Sequence, residues 1–145
     1  MSLDLKPGLR FAQTITVDER LTVPFVSRAF TGFSDMPPVF ATAFLVGFVE
    51  WTCVEALRPA LVPRLKTVGT HIDLSHSAAT PIGMKVTAEV ELALVNQRWL
   101  RFKVSCFDEV DVICTGQHDR TIIDAAKFMA HVEKKRVSIR AGAAG

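Results

Sequence analysis

The stretch from Val39 to Leu57, VFATAFLVGFVEWTCVEAL, decides the fold. Its 19 residues make about five turns of helix, and apolar side chains cover nearly the whole circumference. A helix that is hydrophobic all round is normally buried rather than laid on a surface. Two carboxylates interrupt it, Glu50 and Glu55, and they point about 140° apart, so they share no face. One turn either side of Glu50 stand Val46, Gly47, Cys53 and Val54, none of which pairs with a charge. A buried carboxylate without a partner is expensive. Glu50 must therefore meet a group from elsewhere in the chain or be neutral, and it is the strongest functional clue in the sequence.

Upstream of the helix, residues 9–17 alternate with Phe11, Ile15 and Val17 on one side, the pattern of a strand. Residues 18–38 lack periodicity but hold Val23, Phe25, Val26, Phe30, Phe33 and Met36, too many apolar groups for a solvated linker. A long irregular segment of this kind reads as a binding loop or lid. Downstream, Pro59 and Pro63 close the helix.

From Thr67 the period becomes two. Val68, Thr70, Ile72, Leu74 and His76 are expected on one face of a strand, with Gly69, His71, Asp73 and Ser75 on the other. Strands follow at 84–95, 98–107 and 110–123, the last carrying Val112, Cys114, Gly116, His118, Arg120 and Ile122 on one face. A short helix at 124–135 would bury Ala125, Phe128, Met129 and Val132, and the tail 138–145 reads as disordered. The order is strand, long apolar helix, then four antiparallel strands. This is α+β, a single hotdog domain over 1–145 in which a curled sheet wraps one long buried helix. Its open sheet edge predicts a homodimer.

Composition narrows the function. With 49% hydrophobic and 22% charged residues the chain reads as compact and folded. A net charge of +2 is too slight to argue for nucleic acid. Cys53, Cys106 and Cys114 have no paired spacing and apolar neighbours, which favours reduced thiols in a cytoplasmic protein. The first ten residues contain no apolar signal core, and the longest uncharged run, Met36 to Val49, has 14 residues, short of a membrane span.

Parity brings His76 and Arg120 to the apolar side of the sheet, toward Glu50, and a polar set converging on a buried pocket is the default site. Blander readings stand beside this one. His76 alone would be a hydrogen-bonded core histidine, Glu50 half of a structural ion pair with Arg120, and Thr42 a cap or packing residue at the helix start. His71 and Asp73 share a strand face without a third ligand, so no metal is expected, and no cofactor motif is present.

These residues carry a resemblance. The run VFATAFLVGFVEW, then Gly69-Thr70, then SHSAATPIG at 75–83 and GQHDR at 116–120, resembles the fluoroacetyl-CoA thioesterase family over nearly the whole chain. The resemblance implies a catalytic Thr42, Glu50 and His76, with Gly69 and Arg120 holding the acyl group. It further implies a lid over the acyl pocket formed by Val23, Val26, Phe33 and Met36. Met36 stands where the fluorine-selective enzyme has a phenylalanine, and a flexible thioether shapes a pocket less strictly than a ring. The expected activity is hydrolysis of a small acyl-CoA with little preference for a fluorinated acyl group. The alternatives are a hotdog acyl-CoA hydratase or dehydratase, and a non-catalytic binder of small acyl or aromatic ligands. Eight residues of helix separate Thr42 from Glu50 by about 12 Å. Either the helix start is irregular or the two meet across a dimer interface.

Overall fold

The computed structural model describes residues 4–143. Strand β1 (Arg10–Thr16) is followed by three single 3-10 turns, at Glu19–Leu21, Val23–Phe25 and Thr31–Phe33, and by helix α1 (Thr42–Leu57). Then come β2 (Leu65–Leu74), β3 (Lys85–Asn96), β4 (Trp99–Phe107), β5 (Val112–Asp124) and helix α2 (Ala125–Ala143). The five strands form one antiparallel sheet in the order β1-β3-β4-β5-β2, so β1 and β2 are its edges.

The inner face of the sheet carries the alternating apolar residues read from the sequence. Val86, Ala88, Val90, Leu92, Leu100, Phe102, Val104 and Cys106 are all buried, and α1 lays Leu45, Phe48, Val49, Cys53, Ala56 and Leu57 on them. The Val, Leu and Phe side chains among them each contribute roughly 1.5–3 kcal/mol on leaving water. The turn before β5 is closed by Asp108, whose carboxylate accepts from the backbone amides of Val110 and Asp111 at 2.8 and 2.7 Å and from the buried Thr80 hydroxyl. Gly116 is obligatory: its φ is +150°, and a Cβ there would lie 1.9 Å from the Asp73 carbonyl oxygen on β2.

Four expectations are corrected. Helix α1 is not buried all round. One side of it, including Thr42, Ala43, Gly47 and Trp51, is exposed in the single chain, because one sheet covers only one side of a cylinder. Strand β2 ends at Leu74, and a bulge at Thr70 breaks its parity, since Gly69 pairs with Arg120 while His71 pairs with Asp119. Gly69 therefore faces α1 together with Ile72 and Leu74, whereas Val68 and Thr70 do not. A second irregularity at Ile113 buries that residue and leaves Val112 57% exposed. Finally, α2 runs past 135 to Ala143 and so takes in most of the tail expected to be disordered; residues 144–145 lie outside the described residues. Its Met129 and Val132 are exposed rather than buried. No described helix is long and apolar enough to cross a membrane.

Candidate active site

Glu50 finds its partner on β5. Arg120 Nη1 donates to Glu50 Oε2 at 2.9 Å, across the interface between helix and sheet. The two ends of this pair are unequally placed: the arginine side chain is 6% exposed and the glutamate 41%. Arg120 is fixed from every side, since Nε donates to Thr67 Oγ1 at 2.8 Å and Nη2 to the Thr67 carbonyl at 2.9 Å. Its Nη1 also lies 3.0 Å from Nε2 of the buried His118. Such a clamp aims a guanidinium at a carboxylate.

Gly69 forms the floor beside this pair. A Cβ there would sit 2.6 Å from Glu50 Oε2, 3.2 Å from His118 Cε1 and 3.4 Å from Arg120 Nη1. The missing side chain is what allows the carboxylate to lie against β2, and the bulge at Thr70 is what turns Gly69 inward. Cys53 lies under the same charges, and burial pushes its thiol up to about 12, so it stays protonated. His118 and Thr67 were not singled out by the sequence. The available signal was position: His118 lies two residues before Arg120 on the same face.

Thr42 and His76 form a second cluster. The helix N-cap is Ala41, so Thr42 is not the capping residue, and its hydroxyl lies 2.7 Å from His76 Nδ1. His76 sits beyond the end of β2, edge-on to Phe40 with ring centroids 6.5 Å apart. Its Nε2 is buried and makes no hydrogen bond among the described residues. Burial holds the imidazole below its ordinary value, favouring the neutral ring.

The remaining expected residues lie at the Thr42 end. The segment 18–38 is pinned there by backbone hydrogen bonds from Val23 to Val39 and from Ala41 to Leu21, and by the buried Thr22. Val23, Val26 and Phe33 are half-buried, Phe33 meets Phe30 edge-on at 5.9 Å, and Met36 is 44% exposed. The chain thus brings together Glu50, Arg120 and Gly69, and separately Thr42, His76 and part of the 18–38 segment. It does not join the two sets, because α1 is regular from Thr42 onward. Among the described residues no three His, Cys, Asp or Glu side chains are grouped to hold a metal ion.

A family model described as fluoroacetyl-CoA-specific thioesterase matches residues 17–126. The chain belongs to that family. It is a thioester hydrolase acting on an acyl-CoA, 41% identical over 131 residues to the fluoroacetyl-CoA thioesterase of Streptantibioticus cattleyicolor, covering 90% of this chain and 94% of that protein. Among solved structures, a threonine-to-serine mutant of the fluoroacetyl-CoA enzyme in complex with acetyl-CoA superposes with a TM-score of 0.87 at 40% identity, over 90% of this chain and 98% of that one. A hot-dog-like protein from Thermanaerovibrio acidaminovorans, 19% identical with a TM-score of 0.75 over 89% and 91% of the chains, shares the hotdog fold.

Proposed function

We propose that Glu50 is the reactive group of this thioesterase, assisted by Thr42 and His76, and that Gly69 and Arg120 hold the acyl end. The observation that supports it is the inequality of the Glu50–Arg120 pair. The arginine is buried and held by this chain, while the carboxylate is 41% exposed and can be reached by a bound substrate. Oε1, the oxygen Arg120 does not take, makes no hydrogen bond among the described residues. It attacks the thioester carbon, or it takes a proton from the water that does. Collapse of the tetrahedral intermediate breaks the C–S bond, and His76 relays a proton to the departing thiolate. In the first route water then hydrolyses the acyl-glutamyl anhydride, and both routes end in free acid and coenzyme A.

The working unit in this reading is a homodimer of the 1–145 domain, with the Thr42–His76 pair of one protomer facing Glu50 of its partner. The regular helix between Thr42 and Glu50, the exposed half of α1 and the open edge of β2 with its 42% exposed Ile72 all support it. Val23, Val26, Phe33 and Met36 cover the acyl pocket, with Met36 relaxing the choice of acyl group. No cofactor takes part in this scheme. The three unpaired buried thiols fit a reducing cytoplasm.

Glu50→Gln tests the proposal. Release of free thiol from acetyl-CoA should fall at least about a hundredfold, the low end of a general-base contribution, while the thermal midpoint holds. Full turnover with a large loss of stability would identify Glu50 as a structural partner only. Label found in Glu50 after a single turnover in ¹⁸O-labelled water establishes the anhydride route with water attacking the glutamyl carbonyl. Trapping of the acyl-enzyme by hydroxylamine tests the anhydride whichever carbonyl water attacks.

A further inference from the structure

We propose that His118 is a positioning residue for this hydrolysis, holding Arg120 and, through it, the Glu50 carboxylate. The inference rests on the reading of Glu50 above and adds a residue to it. The ring of His118 is fully buried, yet both its nitrogens are matched. Nδ1 lies 2.8 Å from the carbonyl oxygen of His71, which can only accept, so Nδ1 carries the proton. Nε2 lies 3.0 Å from Arg120 Nη1, which can only donate, so Nε2 presents its lone pair. The two contacts fix one tautomer of a neutral imidazole.

Nη1 has two hydrogens, and the geometry divides them between Glu50 Oε2 and His118 Nε2. A neutral acceptor is the right chemistry for the second. It satisfies the hydrogen while leaving the positive charge of the guanidinium to Glu50, whereas a second carboxylate would compete for that charge. A protonated His118 would set N–H against N–H and cation against cation, and Nη1 would turn away. The ionisable groups around the ring are Arg120 on its own strand, Glu50 from α1 and Asp119, which is tied to Arg101 on the opposite face; β2 offers only the His71 carbonyl. Burial, reinforced by Arg120, holds the ring below its ordinary value and so neutral.

His71 is also the first paired residue after the bulge at Thr70. His118 therefore clamps the backbone that turns Gly69 toward Glu50, and one side chain sets both the charge and the floor of the acyl site.

Histidine ¹⁵N NMR on the intact wild-type protein reads the tautomer directly. His118 should be neutral and Nδ1-protonated at pH 7, with Nε2 shifted as a hydrogen-bond acceptor. In acetyl-CoA hydrolysis, His118→Leu should lower kcat at least about tenfold with KM within about threefold, the pattern of a group acting on the transition state rather than on binding. His118→Gln, whose amide can donate to the His71 carbonyl and accept from Arg120, should recover most of the loss. A folded His118→Leu protein with unchanged kcat would overturn the proposal. So would a His118→Gln variant as impaired as His118→Leu, or an Nε2-protonated or cationic His118 at pH 7. If His118→Leu does not fold, the tautomer and the His118→Gln kinetics decide. Failure of the Glu50 reading is seen separately, as full turnover in Glu50→Gln, and leaves the tautomer measurement standing.

Discussion

Arg120 and His76 stand at the two ends of the candidate site, and the chain treats them differently. Arg120 is 5% exposed, and its hydrogen bonds to Thr67, Glu50 and His118 all come from this one chain. His76 has one nitrogen on Thr42 and the other buried with nothing to bond among the described residues. A buried polar atom left unmatched costs about 1–3 kcal/mol, and such atoms concentrate where a protein does chemistry. One end is thus a finished scaffold that sets a charge. The other keeps one buried nitrogen unmatched, which in the proposed scheme is the group that moves a proton when substrate is bound.

The largest effect expected from this contrast comes from separating the ends onto different chains. Glu50→Gln and His76→Ala should each lower turnover at least about a hundredfold. Refolded together in equal amounts, the two inactive proteins should recover about a quarter of wild-type activity. Half of randomly paired dimers are mixed, and each mixed dimer keeps one intact site of two. No recovery, or a monodisperse monomer in light scattering with full wild-type activity, would put both ends in one chain. A smaller loss is expected at the floor. Gly69→Ala places a methyl group 2.6 Å from Glu50 Oε2, and the carboxylate must shift from its place against Arg120 to make room. Turnover should drop roughly tenfold with the fold intact, and wild-type kinetics would mean that Glu50 is not held against β2 during the reaction.

How far the sequence alone reaches can be judged at these same residues. Glu50 was legible because its helix offered it no partner, and Arg120 because its parity put it on the inner face of a cleanly alternating strand. Gly69 had the wrong face by parity alone: a bulge leaves no mark in hydrophobic alternation when the residue beside it is glycine. The burial of α1 was over-read because an apolar residue looks the same whether its own sheet or something beyond the chain covers it. His118 was passed over because a single histidine on an apolar strand most often only packs, and its two bonds depend on a backbone carbonyl that no pattern of side chains reports. The Thr42–His76 pair joins residues from separate segments through a loop, where periodicity carries no information.

Selectivity should respond more weakly. Met36, a member of the proposed lid, is 44% exposed, and a flexible thioether defines a pocket less strictly than a ring. Met36→Phe should raise the ratio of kcat/KM for fluoroacetyl-CoA over acetyl-CoA by a factor of about 3 to 10, the scale of reshaping one apolar contact. An unchanged ratio would remove the lid from the acyl pocket.

The smallest effect is on stability, and its sign follows from the two histidines. Burial lowers the pKa of both His76 and His118 below the ordinary value of 6.5, so each native ring resists protonation more than the same ring in the unfolded chain. As pH falls below about 6.5 the unfolded chain binds protons that the native state refuses, and the folded state loses stability. Above that pH both forms are neutral and the contribution is flat. The window opens at about 6.5, the unfolded value, and closes at the depressed native values. It opens above the range in which Asp108 and Asp119, both held below their ordinary carboxylate value, begin to add their own losses. Thermal midpoints measured between pH 8 and 5 should therefore be level at first and then decline, and the decline should be shallower in His118→Gln. Midpoints that rise on acidification through 6.5 would mean that the depression expected of His76 and His118 does not govern stability in this range, and the histidine ¹⁵N spectrum would then show which ring is protonated. A cationic His118 in that spectrum would contradict the neutral tautomer that its bonds to His71 and Arg120 require.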